Sequence, residues 1–122
     1  MVNILLIFLA GGFGSISRYG LGALVRLLCR GDFPCSTLVV NALGCFLFGL
    51  IQGWAGQRDW LSPQQTLVLC VGFLGAFTTF STFAFEVESM IRESRWLTMV
   101  SYVLLQNVLG IAFVFLGLRL GR

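Results

Sequence analysis

The twelve residues Gly72-Phe73-Leu74-Gly75-Ala76-Phe77-Thr78-Thr79-Phe80-Ser81-Thr82-Phe83 hold two glycines, four hydroxyl side chains and four phenylalanines. They lie in a stretch apolar enough to cross a bilayer. Glycine loosens a helix, and backbone groups freed in lipid must find partners. Non-helical backbone at membrane depth persists only where protein buries it or where it lines a cavity. A plain anchor has no use for this pattern, so the segment is expected to break its helix to bind or conduct something. A break at Gly75 to Thr78 would expose backbone carbonyls, which suit a hard monovalent cation such as Na+. The alternative is a mere kink at glycine. Phe80 and Phe83, three apart, share a helix face. An aromatic ring is positive at its edge, so a ring turned edge-on stabilises an anion, although such pairs also serve simply as packing. Thr79, Ser81, Thr82 and, far along the chain, Tyr102 can donate hydrogen bonds without carrying charge.

Further polar residues lie in or beside apolar sequence. Arg18 is deep in the first apolar stretch, where a cation is costly and usually faces a water-filled cavity or a partner. It either lines an anion vestibule, raising local anion concentration, or snorkels to the interface or to backbone carbonyls. Asn41 is a neutral donor and acceptor, able to offer N–H to a partly dehydrated anion without trapping it. Thr37 is one turn earlier and Gly44 three residues later, roughly on the same face. The alternative role for Asn41 is hydrogen-bonded glue between helices. Glu86 and Glu88 end the third apolar stretch, as proton-coupling carboxylates or as interfacial groups solvated or paired with Arg92 or Arg95.

The elements that must position these residues are membrane helices. The 122 residues are 57% hydrophobic and 11% charged, with mean hydropathy +0.92. A soluble domain of this size cannot hide so much apolar surface. Four spans are predicted: Val2 to Leu28, Thr37 to Trp54, Thr66 to Phe85 with a polar helix continuing past Glu88, and Trp96 to Leu118. They form one domain over residues 1–122. Gly31-Asp32-Phe33-Pro34, Gly56-Gln57-Arg58-Asp59 and Arg92-Glu93-Ser94-Arg95 supply the turns. Ser62 before Pro63 predicts a helix start. Trp54, Trp60 and Trp96 fall near span ends, where aromatic belts sit. The first span has no basic n-region and no A-x-A-like site, so it does not read as a cleavable signal peptide. Cys29, Cys35, Cys45 and Cys70 have no metal-ligand spacing and read as small packing residues, with a Cys29–Cys35 pair across one loop as the alternative. The net charge of +3 is too small to argue for nucleic acid.

Four short helices rarely enclose an aqueous path alone, so an oligomer is expected, most simply a dimer. Arginine bias between loops normally orients such a chain. Arg26, Arg30, Arg92 and Arg95 fall on one side, and Arg58, Arg119 and Arg122 on the other. A chain with so little bias either inserts both ways, which would give an antiparallel dimer, or still takes one topology.

Three blocks resemble the Fluc (CrcB) family of fluoride ion channels, over essentially the whole chain. They are Gly11-Gly12-Phe13-Gly14-Ser15-Ile16-Ser17-Arg18-Tyr19, the T-x-x-x-N-x-x-G element from Thr37 through Asn41 to Gly44, and Gly72 to Phe83. The third is the specific one. The resemblance implies an all-α membrane protein with four transmembrane helices, the third broken, assembled as an antiparallel dual-topology homodimer with two fluoride pores. It implies that Phe80 and Phe83 turn ring edges to fluoride, that Asn41 is a pore-lining donor and that Arg18 lines the vestibule. Backbone carbonyls of Gly75 and Thr78 would hold a central structural Na+, and Thr37, Ser81, Thr82, Tyr102 and Glu86 would be further pore-lining positions. The implied role is passive fluoride efflux across a bacterial plasma (inner) membrane: HF enters, dissociates and is trapped as F−, which the negative interior potential drives out through a selective channel.

No nucleophile–base pair or nucleotide motif points to an enzyme. A small proton-coupled multidrug antiporter shares the size and helix count, but it needs a membrane-embedded carboxylate. The first span has no acidic residue, and the earliest acid is Asp32, in a loop. A purely structural membrane subunit would have no need of the glycine-broken third span.

Overall fold

The computed structural model describes residues 2–57 and 60–122, and these are all helix and short connections. Helix α1 spans Val2–Leu28 and α2 spans Cys35–Gln57. The third span runs Pro63–Arg92 in pieces: α3 at Pro63–Leu67, a π-helical stretch at Val68–Leu74, α4 at Gly75–Phe77 and α5 at Phe80–Arg92. Helix α6 spans Trp96–Gly121. Four helical segments are thus long and apolar enough to cross a bilayer, and the third is bent. This is the architecture of an integral membrane protein.

Local sequence explains the boundaries. Ser62 caps α3 through a reciprocal pair, its hydroxyl accepting from the Gln65 N–H while the Gln65 side chain accepts from the Ser62 N–H, with Pro63 in the first turn. The turn after α5 closes at Ser94, which takes a left-handed φ of 58°. There the Arg95 N–H bonds the Met90 carbonyl and the Ser94 N–H that of Ile91, a Schellman closure without glycine. Arg58 and Asp59, expected in the second loop, lie outside the described residues. All four cysteines are free, so Cys29 and Cys35 are not bridged.

Helix α2 is the centre of the molecule and packs chiefly on α6. Close contact there depends on missing side chains. A Cβ on Gly49 would fall 2.2 Å from the Val114 carbonyl oxygen, and one on Gly117 would fall 2.1 Å from that of Phe46. Backbones in such a seam touch, and dispersion replaces the hydrophobic drive that lipid does not supply. On the other side, α1 packs against the π-helical stretch, whose wider turn was not foreseen in the sequence.

Candidate functional site

The break in the third span falls at Thr78 and Thr79, not at Gly75. Gly75 is helical (φ −60°, ψ −34°), whereas Thr78 (φ −81°, ψ 159°) and Thr79 (φ −148°, ψ 111°) are extended. Glycine is therefore not the breaking agent. Threonine takes extended backbone readily, and a polar side chain on another helix holds it there. Asn41 on α2 receives the Thr79 N–H on Oδ1 at 2.8 Å and donates from Nδ2 to the Thr79 carbonyl at 3.0 Å. Both Asn41 and Thr79 are buried, so each bond satisfies a group that would otherwise be stranded in an apolar medium. In an unbroken helix the Thr79 N–H would go to the Gly75 carbonyl; Asn41 diverts it.

Thr79 also starts α5. Its hydroxyl accepts the Thr82 N–H at 3.2 Å and donates to Thr82 Oγ1 at 2.9 Å, the usual satisfaction of an N-cap. Ser81 Oγ lies 3.3 Å from the same hydroxyl. The positive end of the α5 dipole thus sits mid-span, an arrangement that favours anionic groups. Thr78 stays tied to the helix before it, its Oγ1 and N–H both donating to the Leu74 carbonyl. Its methyl fills the hollow at Gly44, where a Cβ would lie 2.2 Å from Thr78 Cγ2. The Thr78 carbonyl accepts a long 3.4 Å bond from Arg18 Nη1.

Two cavities flank the break, and Thr79 lines both. The first, about 370 Å3, is walled by Asn41, Thr78, Phe80, Phe83, Gln106 and Asn107 among others. The Phe80 and Phe83 rings lie 5.6 Å apart at 55°, and Phe83 lies 5.2 Å from Tyr102. Phe83 is buried, but Phe80 is 78% exposed in the single chain. The second cavity, about 300 Å3, is lined by Arg18, Arg26, Thr37, Thr82 and Glu86 among others. Here the Glu86 carboxylate is held at both oxygens: Thr37 Oγ1 donates to Oε1 at 2.7 Å and the Tyr102 hydroxyl to Oε2 at 2.6 Å. Tyr102 is fully buried, and Phe33 meets its ring edge-on at 5.5 Å. Glu88, in contrast, is exposed and paired with Arg92 one turn on.

The model of the family described as CrcB-like protein, camphor resistance (CrcB), matches residues 5–118. The chain belongs to this CrcB family. It is 47% identical over 116 residues to the fluoride-specific ion channel FluC of Nitrosococcus oceani, covering 95% of this chain and 93% of that protein. It is 46% identical over 122 residues to the protein of the same name from Nitratidesulfovibrio vulgaris, covering all of this chain and 98% of that one. The corresponding Dehalococcoides mccartyi protein is 41% identical over 121 residues, 99% of this chain and 93% of its own length. These CrcB relatives are named as channels, not enzymes.

Within this CrcB-family chain the expected residues fall into groups. Asn41, Thr78, Phe80 and Phe83 share the first cavity; Arg18, Thr37, Thr82 and Glu86 share the second. Tyr102 lines neither and reaches Glu86 from beneath, and Ser81 lines neither. Gly75 is exposed, in a shallow hollow with Gly44, Cys45, Cys70, Leu74 and Thr78. Its carbonyl and that of Thr78 are neutral oxygen donors of the kind a hard monovalent cation takes. No cluster of three or more His, Cys, Asp or Glu residues occurs among the described residues. Sequence reasoning missed Gln106. Its Oε1 is buried without a hydrogen-bond partner, and it lines the first cavity. The available signal was its place four residues after Tyr102, on the same face of α6.

Proposed function

We propose that the chain is a fluoride-selective channel mediating passive fluoride efflux, assembled as an antiparallel, dual-topology homodimer with two pores in a bacterial inner membrane. The observation that carries this reading is the Asn41-pinned break. It places neutral donors and two phenylalanine rings mid-span in a chain whose relatives are named fluoride-specific ion channels. A small, strongly hydrated anion needs replacement hydrogen-bond donors and positive ring edges, without a fixed cation deep in the path to hold it. Asn41 keeps one amide N–H beyond the one given to Thr79, and Ser81, Thr82 and the start of α5 add further donors. Arg18, one step outside, concentrates anions at the entrance. Thr37 and Glu86 form the hydroxyl–carboxylate wall of that entrance, and buried Tyr102 holds the Glu86 carboxylate from behind it.

Dimer formation is supported by Phe80, a large ring exposed at the depth of the break, and by the open face at Gly75. Two copies meeting there would bring carbonyls of Gly75 and Thr78 from each chain toward one axis. Those four oxygens would hold one Na+, whose contribution is fixed positive charge beside the anion paths. The test is fluoride efflux from liposomes holding the purified protein, with the particle's mass in detergent and C-terminal reporter fusions read in parallel. Fluoride efflux, a dimer mass and both C-terminal locations are expected. Absence of efflux from a folded, inserted protein would overturn the channel reading.

A further inference from the structure

We infer that Arg26 is a second anion-capturing residue of the entrance, standing outside Arg18 and raising the local fluoride concentration before Arg18 is reached. The inference rests on the fluoride-channel reading and names a residue that neither the motif blocks nor the break singles out. Positions 18, 22 and 26 are four apart, so they stack along one face of α1. All three line the second cavity, opposite Thr37 and Glu86. Gly22 between them is buried, and a Cβ there would lie 3.4 Å from Arg26 Nη1. The Arg26 guanidinium is therefore folded back along the helix over the glycine, toward Arg18. An arginine in the last turn of a membrane helix would ordinarily extend outward to water and headgroups.

The charge count points the same way. Arg92 pairs with Glu88, and Arg95 pairs with Glu93 and bonds the Asp32 carbonyl. Arg26 has no hydrogen bond or ion pair among the described residues. The carboxylate of the cavity, Glu86, turns its oxygens to Thr37 and Tyr102 and forms no ion pair with either arginine. The cavity thus holds two guanidinium groups against one hydroxyl-held carboxylate, and an entering anion meets the outer guanidinium with its charge unspent. A single charge acting across about 10 Å of water raises local anion concentration roughly twofold when salt is low. The effect fades once the Debye length falls below that separation. Arg26 is a capture residue, so its signature is ionic-strength dependence rather than a fixed loss.

The test compares fluoride efflux from phosphatidylcholine liposomes containing wild type, Arg26→Gln, Arg26→Glu and Arg26→Lys, each first shown to elute as the wild-type particle. Fluoride is held below saturation at about 10 mM and about 500 mM total ionic strength, spanning Debye lengths from about 30 Å to below 8 Å. Arg26→Gln is expected to lower efflux about two- to threefold at low ionic strength, with Arg26→Glu lower still. Both should approach wild type at high ionic strength, and Arg26→Lys should match wild type throughout. Wild-type efflux from Arg26→Gln at low ionic strength, an equal loss at both salts, or no rescue by lysine would overturn the inference. Failure of the wild type itself to pass fluoride would instead overturn the channel reading.

Discussion

The α2–α6 seam and the third-span break both set small or polar residues where backbones meet inside a membrane, yet they resolve the backbone problem differently. In the seam every helix stays intact, and Gly49 and Gly117 only remove atoms so that carbonyls of the facing helix can approach. At the break the helix is interrupted, and Asn41 supplies the hydrogen bonds that the helix gives up. The seam tolerates no added volume at Gly49 and Gly117, and these two glycines line neither cavity, although Val114 opposite Gly49 borders the first. The third span leaves room for a Cβ at Gly75 but not at the Gly44 hollow that Thr78 fills, and the break itself depends on the chemistry of each donor and acceptor. Structure and transport should therefore separate by region.

The largest effect should come from the seam. Gly49→Val or Gly117→Val sets side-chain atoms against a backbone carbonyl that cannot swing away. Destabilisation should reach at least about 3 kcal/mol, read as loss of monodisperse protein on extraction. A well-folded variant with altered fluoride flux would break the separation. Next is Asn41→Asp. It removes the donor to the Thr79 carbonyl, places an acceptor against it and adds negative charge beside the proposed anion path. At least a tenfold loss of fluoride efflux is expected while the protein still elutes as the wild-type particle. Unimpaired flux at neutral pH would place Asn41 outside the path, unless the aspartate were shown to be protonated.

Within the break region the two rings should differ. Phe80→Ile and Phe83→Ile both lose the positive ring edge and should slow efflux. Only Phe83 is packed between Phe80 and Tyr102, so Phe83→Ile should also lower thermal stability, by about 1 kcal/mol. Equal stability losses would mean that a partner chain buries Phe80 as deeply as this chain buries Phe83. Gly75→Val sharpens the comparison further. A Cβ at Gly75 meets nothing nearer than the Cys70 carbonyl oxygen at 3.7 Å, so the single chain accommodates it. Loss of the dimer band would then report a second chain on that face, and unchanged dimer and flux would argue against the proposed axis. Flux should also require Na+ rather than K+ after long exchange, if the axial ion is present. The smallest effect belongs to Thr78→Ser. It keeps the hydroxyl bond to Leu74 but leaves the Gly44 hollow unfilled, for a stability loss of about 0.5–1 kcal/mol and near-normal flux.

Much of this region was legible because membrane sequence has few ways to carry polar groups. Arg18, Asn41 and Glu86 are conspicuous in apolar surroundings, and each has a polar partner in the fold. The break was expected over Gly75 to Thr78, and the structure narrows it to the far end of that stretch, Thr78, and the next residue, Thr79, while Gly75 stays helical. The energetics favour Thr79, since Asn41 stabilises the extended backbone there, and nothing near position 75 records a bond made 38 residues away. Of the two readings of Asn41, the structure shows the interhelical bond: two of its groups are committed to Thr79, which leaves one N–H for the proposed donor role. Gln106 and Arg26 were passed over because one lies in an otherwise ordinary apolar helix and the other was counted with the loop charges.

Composition and span length alone determined that this chain is a four-span, all-helical membrane protein. Lipid forces backbone groups to pair within the segment, and about twenty apolar residues are what a bilayer requires. The motif blocks by themselves determined the family. Only the tertiary structure decided where the third span opens, which carbonyls are freed and which cavity each polar residue faces. Those outcomes depend on contacts between helices far apart in the chain, Asn41 with Thr79, Arg18 with Thr78, Thr37 and Tyr102 with Glu86. Such contacts follow from helix packing at the glycine seams, which no local pattern of residues encodes.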